Sequence, residues 1–242
     1  VALAAVGRAR YRGAVTASIP EGVLRLQGRT GPRAAAFDAD GVLWHGDVSE
    51  DFTRWMIDRG HFDGALWAPY EAVNRRDPAA GCVEILRFYR GHPIAELRTR
   101  VAEFWRNAAP RRWKAAVIAT FRWLAEHDFS VFVVSGTPRL VLEPLAQHLP
   151  VDLDHIVALE LGVDPQGRAT GGPSGVVTCG PGKATRLRAA WSGPVLLAAG
   201  NSVLDIEMLQ VSEGWRWAVD PDPQLRALAM RSGWPIYDTP HG

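Results

Sequence analysis

The sequence predicts an α/β fold, a parallel sheet with helices on both faces. Three observations carry that expectation. Short apolar runs recur at 33–37, 129–134 and 194–199, too short for buried helices and closed by Asp, Ser or Gly. Stretches with helical apolar spacing separate them. Polar residues cluster just after the runs end, where open α/β sheets hold their ligands.

Taken in order, Arg33-Ala-Ala-Ala-Phe37 reads as a buried strand that delivers Asp38 and Asp40 into a loop at Gly41. Residues 49–60, 64–74, 80–90, 93–107 and 110–127 read as amphipathic helices, with turns near Gly60, Pro78, Gly91-His92-Pro93 and Pro110. Phe129–Val134 is a β-prone run ending at Ser135-Gly136-Thr137, followed by a helix over 138–148. Strand and turn signals fill 155–161 and 167–179. A helix opens at Lys183 and runs to 191. A strand over 194–199 ends at Gly200-Asn201-Ser202, and a helix over 203–210 follows. Trp215–Val219 and Pro235–Tyr237 read as short strands. The long helical stretch between the first two strands is too large for an ordinary crossover. It predicts an inserted helical domain over 47–115, dividing the α/β core into 33–46 and 116–242. Residues 1–32, with five arginines and one acid, read as a partly disordered leader; Val1–Val6 is too short for a signal-peptide core.

Composition narrows the function. The chain has 242 residues, 47 % hydrophobic and 22 % charged, which suits a packed core and excludes wholesale disorder. A net charge of +1 implies neither a nucleic-acid nor an anionic-membrane partner. No apolar run approaches the roughly 18 residues of a membrane span. Cys82 and Cys179 lack a CxxC spacing and read as free thiols in a reducing, cytoplasmic setting. Of 27 basic residues only Lys114 and Lys183 are lysine. A compact ammonium fills roles that a planar guanidinium cannot, so each lysine marks a place to inspect.

Four polar clusters then fall at strand or helix ends in a fixed order: Asp38-Ala39-Asp40-Gly41-Val42-Leu43, Val133-Val134-Ser135-Gly136, Lys183 within Gly180–Ala184, and Gly200-Asn201-Ser202 through Asp205 to Leu209. Each alone suits a turn or a helix cap. Together they resemble the motif set of the haloacid dehalogenase superfamily hydrolases, nearest the phosphoserine phosphatase-like branch with a helical cap. The resemblance spans about residues 33–238 and implies a Rossmann-like core.

That resemblance implies a magnesium-dependent phosphatase acting on a small phosphorylated metabolite. Asp38 would be the nucleophile and would form an aspartyl-phosphate. Asp40 would protonate the leaving group and then activate water. Ser135 and the N–H groups near Gly136 would bind phosphoryl oxygens, with Lys183 adding positive charge. Magnesium would be held by Asp38, the backbone carbonyl of Asp40, and Asn201 or Asp205. Asn201 stands where the family usually has an acid, so a weak or silent phospho-ligand-binding member is the alternative, with a phosphotransferase as a third reading. The insert holds 12 basic and 7 acidic side chains over 54–114, among them Arg75, Arg76, Arg87 and Arg90, and would steer an anion. Asp47 and Glu50 would either cap a helix or meet a substrate amino group. The ten tryptophans are expected mainly in packing, with a few available to hold a quaternary ammonium group.

Overall fold

The computed structural model describes residues 19–108 and 112–240. Six parallel strands form its main sheet in the order β3-β2-β1-β6-β7-β8. The strands are β1 (Ala34–Phe37), β2 (Ser130–Pro138), β3 (Ile156–Leu159), β6 (Val195–Gly200), β7 (Trp215–Val219) and β8 (Ile236–Tyr237). Strands β4 (Leu161–Val163) and β5 (Ala169–Pro173) make a separate antiparallel hairpin. β1 lies at the centre, pairing with β2 on one side and β6 on the other. The chain leaves β1 toward opposite sheet edges through these two neighbours, so their ends flank a topological switch point.

Side chains alternate across β1. Ala34 and Ala36 join one apolar cluster with Phe132, Val134, Leu187 and Met208. Ala35 and Phe37 face the larger cluster with Val131, Val133 and Phe121. Both faces are covered, which is why the strand reads as an unbroken apolar run. Phe37 packs on Phe121 with ring centroids 5.1 Å apart, fixing the helix that precedes β2 against the centre of the sheet.

The helices in chain order are α1 (Glu21–Leu24), α2 (Val48–Asp58), α3 (Trp67–Arg76), α4 (Pro78–Glu84), α5 (Ile94–Asn107), α6 (Ala115–Glu126), α7 (Arg139–Leu142), α8 (Pro181–Ala190), α9 (Ile206–Val211) and α10 (Pro223–Ser232). Between β1 and β2 the described chain is helical, as the sequence predicts. Its aromatic residues Phe52, Trp55, Phe62, Tyr89 and Phe104 share one continuous cluster with the sheet face. α2 and α4 start at Asp47 and Asp77, whose carboxylates accept from Glu50 N at 2.9 Å and Ala80 N at 3.1 Å.

Three local expectations change. Residues 1–18 of the expected leader lie outside the described residues, but 19–28 are ordered: Ile19, Val23 and Leu26 are buried in the main cluster. Their i, i+4 and i+7 spacing supplies one apolar stripe. The helix expected over 138–148 is one α-turn followed by a 3-10 turn at Glu143–Gln147, with Pro144 denying a backbone donor. The tail, read only as strands, contains α10. Asp222 caps it through Leu225 N at 2.7 Å, Pro223 opens it, and Gly233 closes it in the left-handed region.

Candidate active site

The ends of β1 and β6, together with the start of α8, bring three distant segments to one point. Asp38 follows β1 directly and its N–H bonds Ala199 O at 2.9 Å, so the acid is pinned to the neighbouring strand. Lys183, in the first turn of α8, places Nζ 2.7 Å from Asp38 Oδ1 and 2.6 Å from Asp205 Oδ1. All three side chains are buried. Pro181 at the start of α8 and the left-handed Gly180 before it turn the chain so that the lysine enters the site.

Asp205 holds more than the lysine. Its second oxygen accepts from Asn201 N at 2.9 Å, Ser202 N at 3.0 Å and Ser202 Oγ at 3.3 Å. Ser202 Oγ in turn accepts from Leu204 N. This reciprocal cap folds the loop after β6 tightly. With both oxygens engaged, Asp205 fixes the loop and the lysine. The Asn201 side-chain amide lies beside both carboxylates. Oriented with its nitrogen toward them, it stands 3.3 Å from Asp38 Oδ2 and 3.3 Å from Asp205 Oδ2. Gly41 has φ of +70°, and a Cβ there would stand 2.1 Å from the Asn201 amide. Only glycine lets the two loops approach this closely.

Asp40 is held by three donors: Trp44 Nε1 at 2.9 Å and Val48 N at 2.7 Å on one oxygen, Thr137 Oγ1 at 2.6 Å on the other. Sequence reasoning missed Trp44 and Thr137. Thr137 stands 97 residues from its partner, and its signal was only a hydroxyl beside Ser135-Gly136. Ser135 and Gly136 lie at the same sheet edge on β2, beside β1. Ser135 is buried and its Oγ accepts from Thr137 N at 3.1 Å.

The charges are unbalanced. Asp38, Asp40 and Asp205 face one ammonium. Burial, then repulsion from Asp205, pushes the Asp38 carboxyl up to about 7 despite the lysine. Burial also raises Asp40, tempered by its Thr137, Val48 and Trp44 hydrogen bonds. Burial works against the Lys183 ammonium, but Asp205 and Asp38 outweigh it and hold the lysine above its ordinary range. A second cation would relieve this excess. The donors present are carboxylate, amide and backbone carbonyl oxygens, the set that hard divalent ions prefer. Among the described residues, no group of three or more His, Cys, Asp or Glu converges as a metal site. The fit therefore depends on a carbonyl and on Asn201 turning its amide oxygen, in place of its nitrogen, toward the cation beside Asp38.

The other expected residues divide. Asp47 caps α2. Glu50 accepts from Tyr70 Oη at 2.8 Å and Asn74 Nδ2 at 3.4 Å, so it ties α2 to α3. Burial, then Asp40, raises Asp47 well above the ordinary carboxyl range. Arg87 pairs with Glu84, Arg90 packs over Gly171, and Arg75 and Arg76 are exposed. Trp44, Trp55 and Trp105 are packing residues of the core. Cys82 and Cys179 are not free thiols: the fold brings α4 against the segment before α8 and joins the two as a disulfide. Their separation of 97 residues gave no spacing signal.

Among the described residues, no helix is long and apolar enough to cross a membrane. Residues 35–210 match the haloacid dehalogenase-like hydrolase family. The chain is 28 % identical over 218 residues to a histidinol-phosphatase of Neisseria meningitidis, covering 84 % of this chain and 96 % of the relative. It is 30 % identical over 221 residues to the phosphoserine phosphatase SerB1 of Mycobacterium tuberculosis, covering 85 % and 70 %. Among solved structures, a Bordetella pertussis protein of unknown function superposes with a TM-score of 0.76 at 22 % identity, covering 87 % of this chain and all of that one. A substrate-bound phosphoserine phosphatase superposes at 0.62 with 18 % identity, covering 86 % and 94 %. These two likenesses speak for the fold. The family match and the 30 % identical relative speak for descent: the chain belongs to the haloacid dehalogenase-like hydrolases and is a phosphatase-like hydrolase.

Proposed function

We propose that the protein hydrolyses a small phosphomonoester through a phosphorylated Asp38, with magnesium as its cation. The observation that carries this reading is the Lys183 ammonium bridging Asp38 and Asp205 across segments 145 and 22 residues apart. A phosphate monoester dianion repels nucleophiles, so catalysis must neutralise charge and align the attack. Asp38 is anchored by its own N–H to β6 and presents a carboxylate beside a fixed positive charge. In the proposed reaction it attacks phosphorus. Ser135 and the Gly136 N–H hold phosphoryl oxygens, and Lys183 offsets charge on the phosphoryl group.

Asp40 is assigned the proton. Its raised pKa favours the acid form beside a dianionic substrate. Thr137, whose hydroxyl can donate to the carboxylate or accept from the carboxyl, serves both states. Asp40 first protonates the leaving alkoxide and then takes a proton from the water that opens the acyl phosphate. Asp38, Asn201 and the Asp40 carbonyl would hold magnesium, which when bound supplies the positive charge that lets two anions approach. Residues 47–115 act as the cap in this reading, and exclude water from the acyl phosphate.

We extend the proposal to a substrate class through Asp47, which caps α2 next to the site. A half-buried acid beside Asp40, pushed toward its neutral form, gains its charge back when a cation sits next to it. We assign it, with Glu50 behind, to a substrate ammonium. Phosphoserine and histidinol phosphate, named by two of the relatives, both place an ammonium next to the phosphate-bearing carbon.

An assay panel tests the reading. With magnesium, the protein turns over an aryl phosphate, and prefers phosphoserine or histidinol phosphate to glycerol phosphate. A chelator abolishes turnover, and Asp38→Asn loses it by about 10³-fold or more. Equal rates for wild type and Asp38→Asn contradict the proposal.

A further inference from the structure

The chain's two cysteines are joined where α4 of the helical insert lies over the proposed phosphate loop. Cys82 lies on α4 and is half-buried. Cys179 lies between β5 and α8, four residues before Lys183, and is buried. A Cβ built on Gly136 would stand 3.0 Å from Cys82 Sγ and 3.5 Å from Cys179 Sγ. The sulfur pair therefore sits directly over that glycine.

The segment that Cys82 closes is attached along one edge, where Leu66, Trp67 and Tyr70 pack against the main cluster and Arg54 lies over the Trp67 ring. Over 63–81 only Tyr70 and Gly81 are buried. Its polar ties to α2 are the Glu50 bonds to Tyr70 and Asn74 and an Arg54–Glu71 pair at 3.6 Å. The chain just beyond is held differently. Gly91 N bonds Ala169 O at 2.8 Å, Ala169 N bonds His92 O at 2.9 Å, and Ile94 N bonds Gly167 O at 3.0 Å. These main-chain bonds fix residues 91–94 to the β4–β5 hairpin. α3 and α4 thus form a pair held along one edge between two anchored ends, with much of its remaining surface exposed, the kind of element that can open locally.

We propose that Cys82 and Cys179 are a redox-modification site that locks α3 and α4 over the phosphate loop when oxidised and frees them when reduced. The oxidant is a low-molecular-weight disulfide. The Cys82 thiolate attacks one of its sulfurs, forming a mixed disulfide and releasing one small thiol. The Cys179 thiolate then attacks the Cys82 sulfur and releases the second. Two protein thiols are oxidised, one small disulfide is reduced to two thiols, and a dithiol reverses the exchange. The oxidised form hinders the entry of substrate and the exit of product, because the pair can no longer lift. The effect on turnover rests on the phosphatase reading; the lock itself does not.

The test equilibrates the full chain in oxidised and in reduced glutathione. It then maps alkylated peptides, measures amide hydrogen exchange over 67–84, and measures aryl phosphate turnover with magnesium. Oxidation is expected to yield a linked Cys82–Cys179 peptide and to slow exchange over 67–84. It is also expected to lower turnover on the order of tenfold, reversed by dithiothreitol. Neither Cys82→Ser nor Cys179→Ser can form the link, so both are expected to keep the reduced protein's exchange over 67–84 in both buffers, with Cys179→Ser carrying glutathione on Cys82 in the oxidised one. Absence of the linked peptide overturns the proposal, and so does a linked peptide with unchanged exchange over 67–84. If no form turns over any phosphate ester, the phosphatase reading fails, and the exchange contrast still decides whether the lock exists.

Discussion

Two lysines grip the loop after β1, and they do it in opposite electrostatic settings. Lys183 meets Asp38 and Asp205, both buried, with Asp40 close behind. Lys114 is equally buried at 3 % exposure, but it donates to the Gly41 carbonyl and pairs with Asp220 at 2.5 Å. Asp220 is partly open to a cavity of about 660 Å³ that Gly41, Asn201 and Arg226 also line. Thr239 donates to Asp220 from both its N–H and its hydroxyl, at 2.7 and 2.6 Å. Burial raises the Asp220 carboxyl, but Lys114 and Thr239 outweigh it and lower its pKa. Asp38 moves the other way, to about 7. One lysine completes a balanced pair that holds a loop. The other sits in a site still short of positive charge, which suits the cation and phosphate proposed to bind there.

The largest way to break this comparison is Lys183→Met. It leaves Asp38 and Asp205 without their shared cation, so folding stability falls by about 3–5 kcal/mol. Aryl phosphate turnover falls by roughly 10²–10³-fold or more. Denaturant melts and steady-state rates read both effects, and near-wild-type turnover would remove Lys183 from the proposed centre. Lys114→Met is expected to cost less, about 1–2 kcal/mol, because Asp220 keeps its Thr239 donors and its access to water. Its turnover stays within about tenfold of wild type, since the Gly41 loop loosens without losing a charge at the site. Equal losses in the two variants would erase the distinction.

The smallest effect has an unusual sign. In metal-free buffer Asp38 is harder to ionise folded than unfolded. Native stability therefore drops as pH rises from about 4 to about 7, where the folded protein retains a proton that the unfolded chain has released. Asp38→Asn removes that cost. We expect it to be more stable than wild type at pH 8 by on the order of 1 kcal/mol, roughly 2–4 °C in Tm. The gain should shrink to nothing below about pH 4. A variant less stable than wild type at pH 8 would mean that the Lys183 pair outweighs the crowding.

How much of this was legible in the sequence depends on whether the signal was local. β1, β6 and β7 are apolar runs with polar stops, and the sequence places each within one residue of its observed bounds. α5 and α6 carry a clear apolar stripe, and α6, expected over 110–127, runs from Ala115 to Glu126, with 112–114 not helical. α10 had a local signal too, Asp222-Pro223 before it and Gly233 after it, which a reading of the tail as strands passed over. Nothing local could pair Lys114 with Asp220, 106 residues on, or Thr137 with Asp40. Those contacts exist because the ends of neighbouring strands meet at one sheet edge. The rarity of lysine was a usable hint for both lysines, and the motif order explained only one.

The most direct test of the central claim is to look for the phosphoryl group itself. The protein is mixed with magnesium and an aryl phosphate, quenched in acid within the first turnover, digested and weighed by mass spectrometry. The account predicts one added phosphoryl group on the peptide containing Asp38, absent from Asp38→Asn and lost at alkaline pH as an acyl phosphate should be. Rapid turnover with no phosphorylated peptide at any quench time, or a phosphoryl group on another residue, would contradict it.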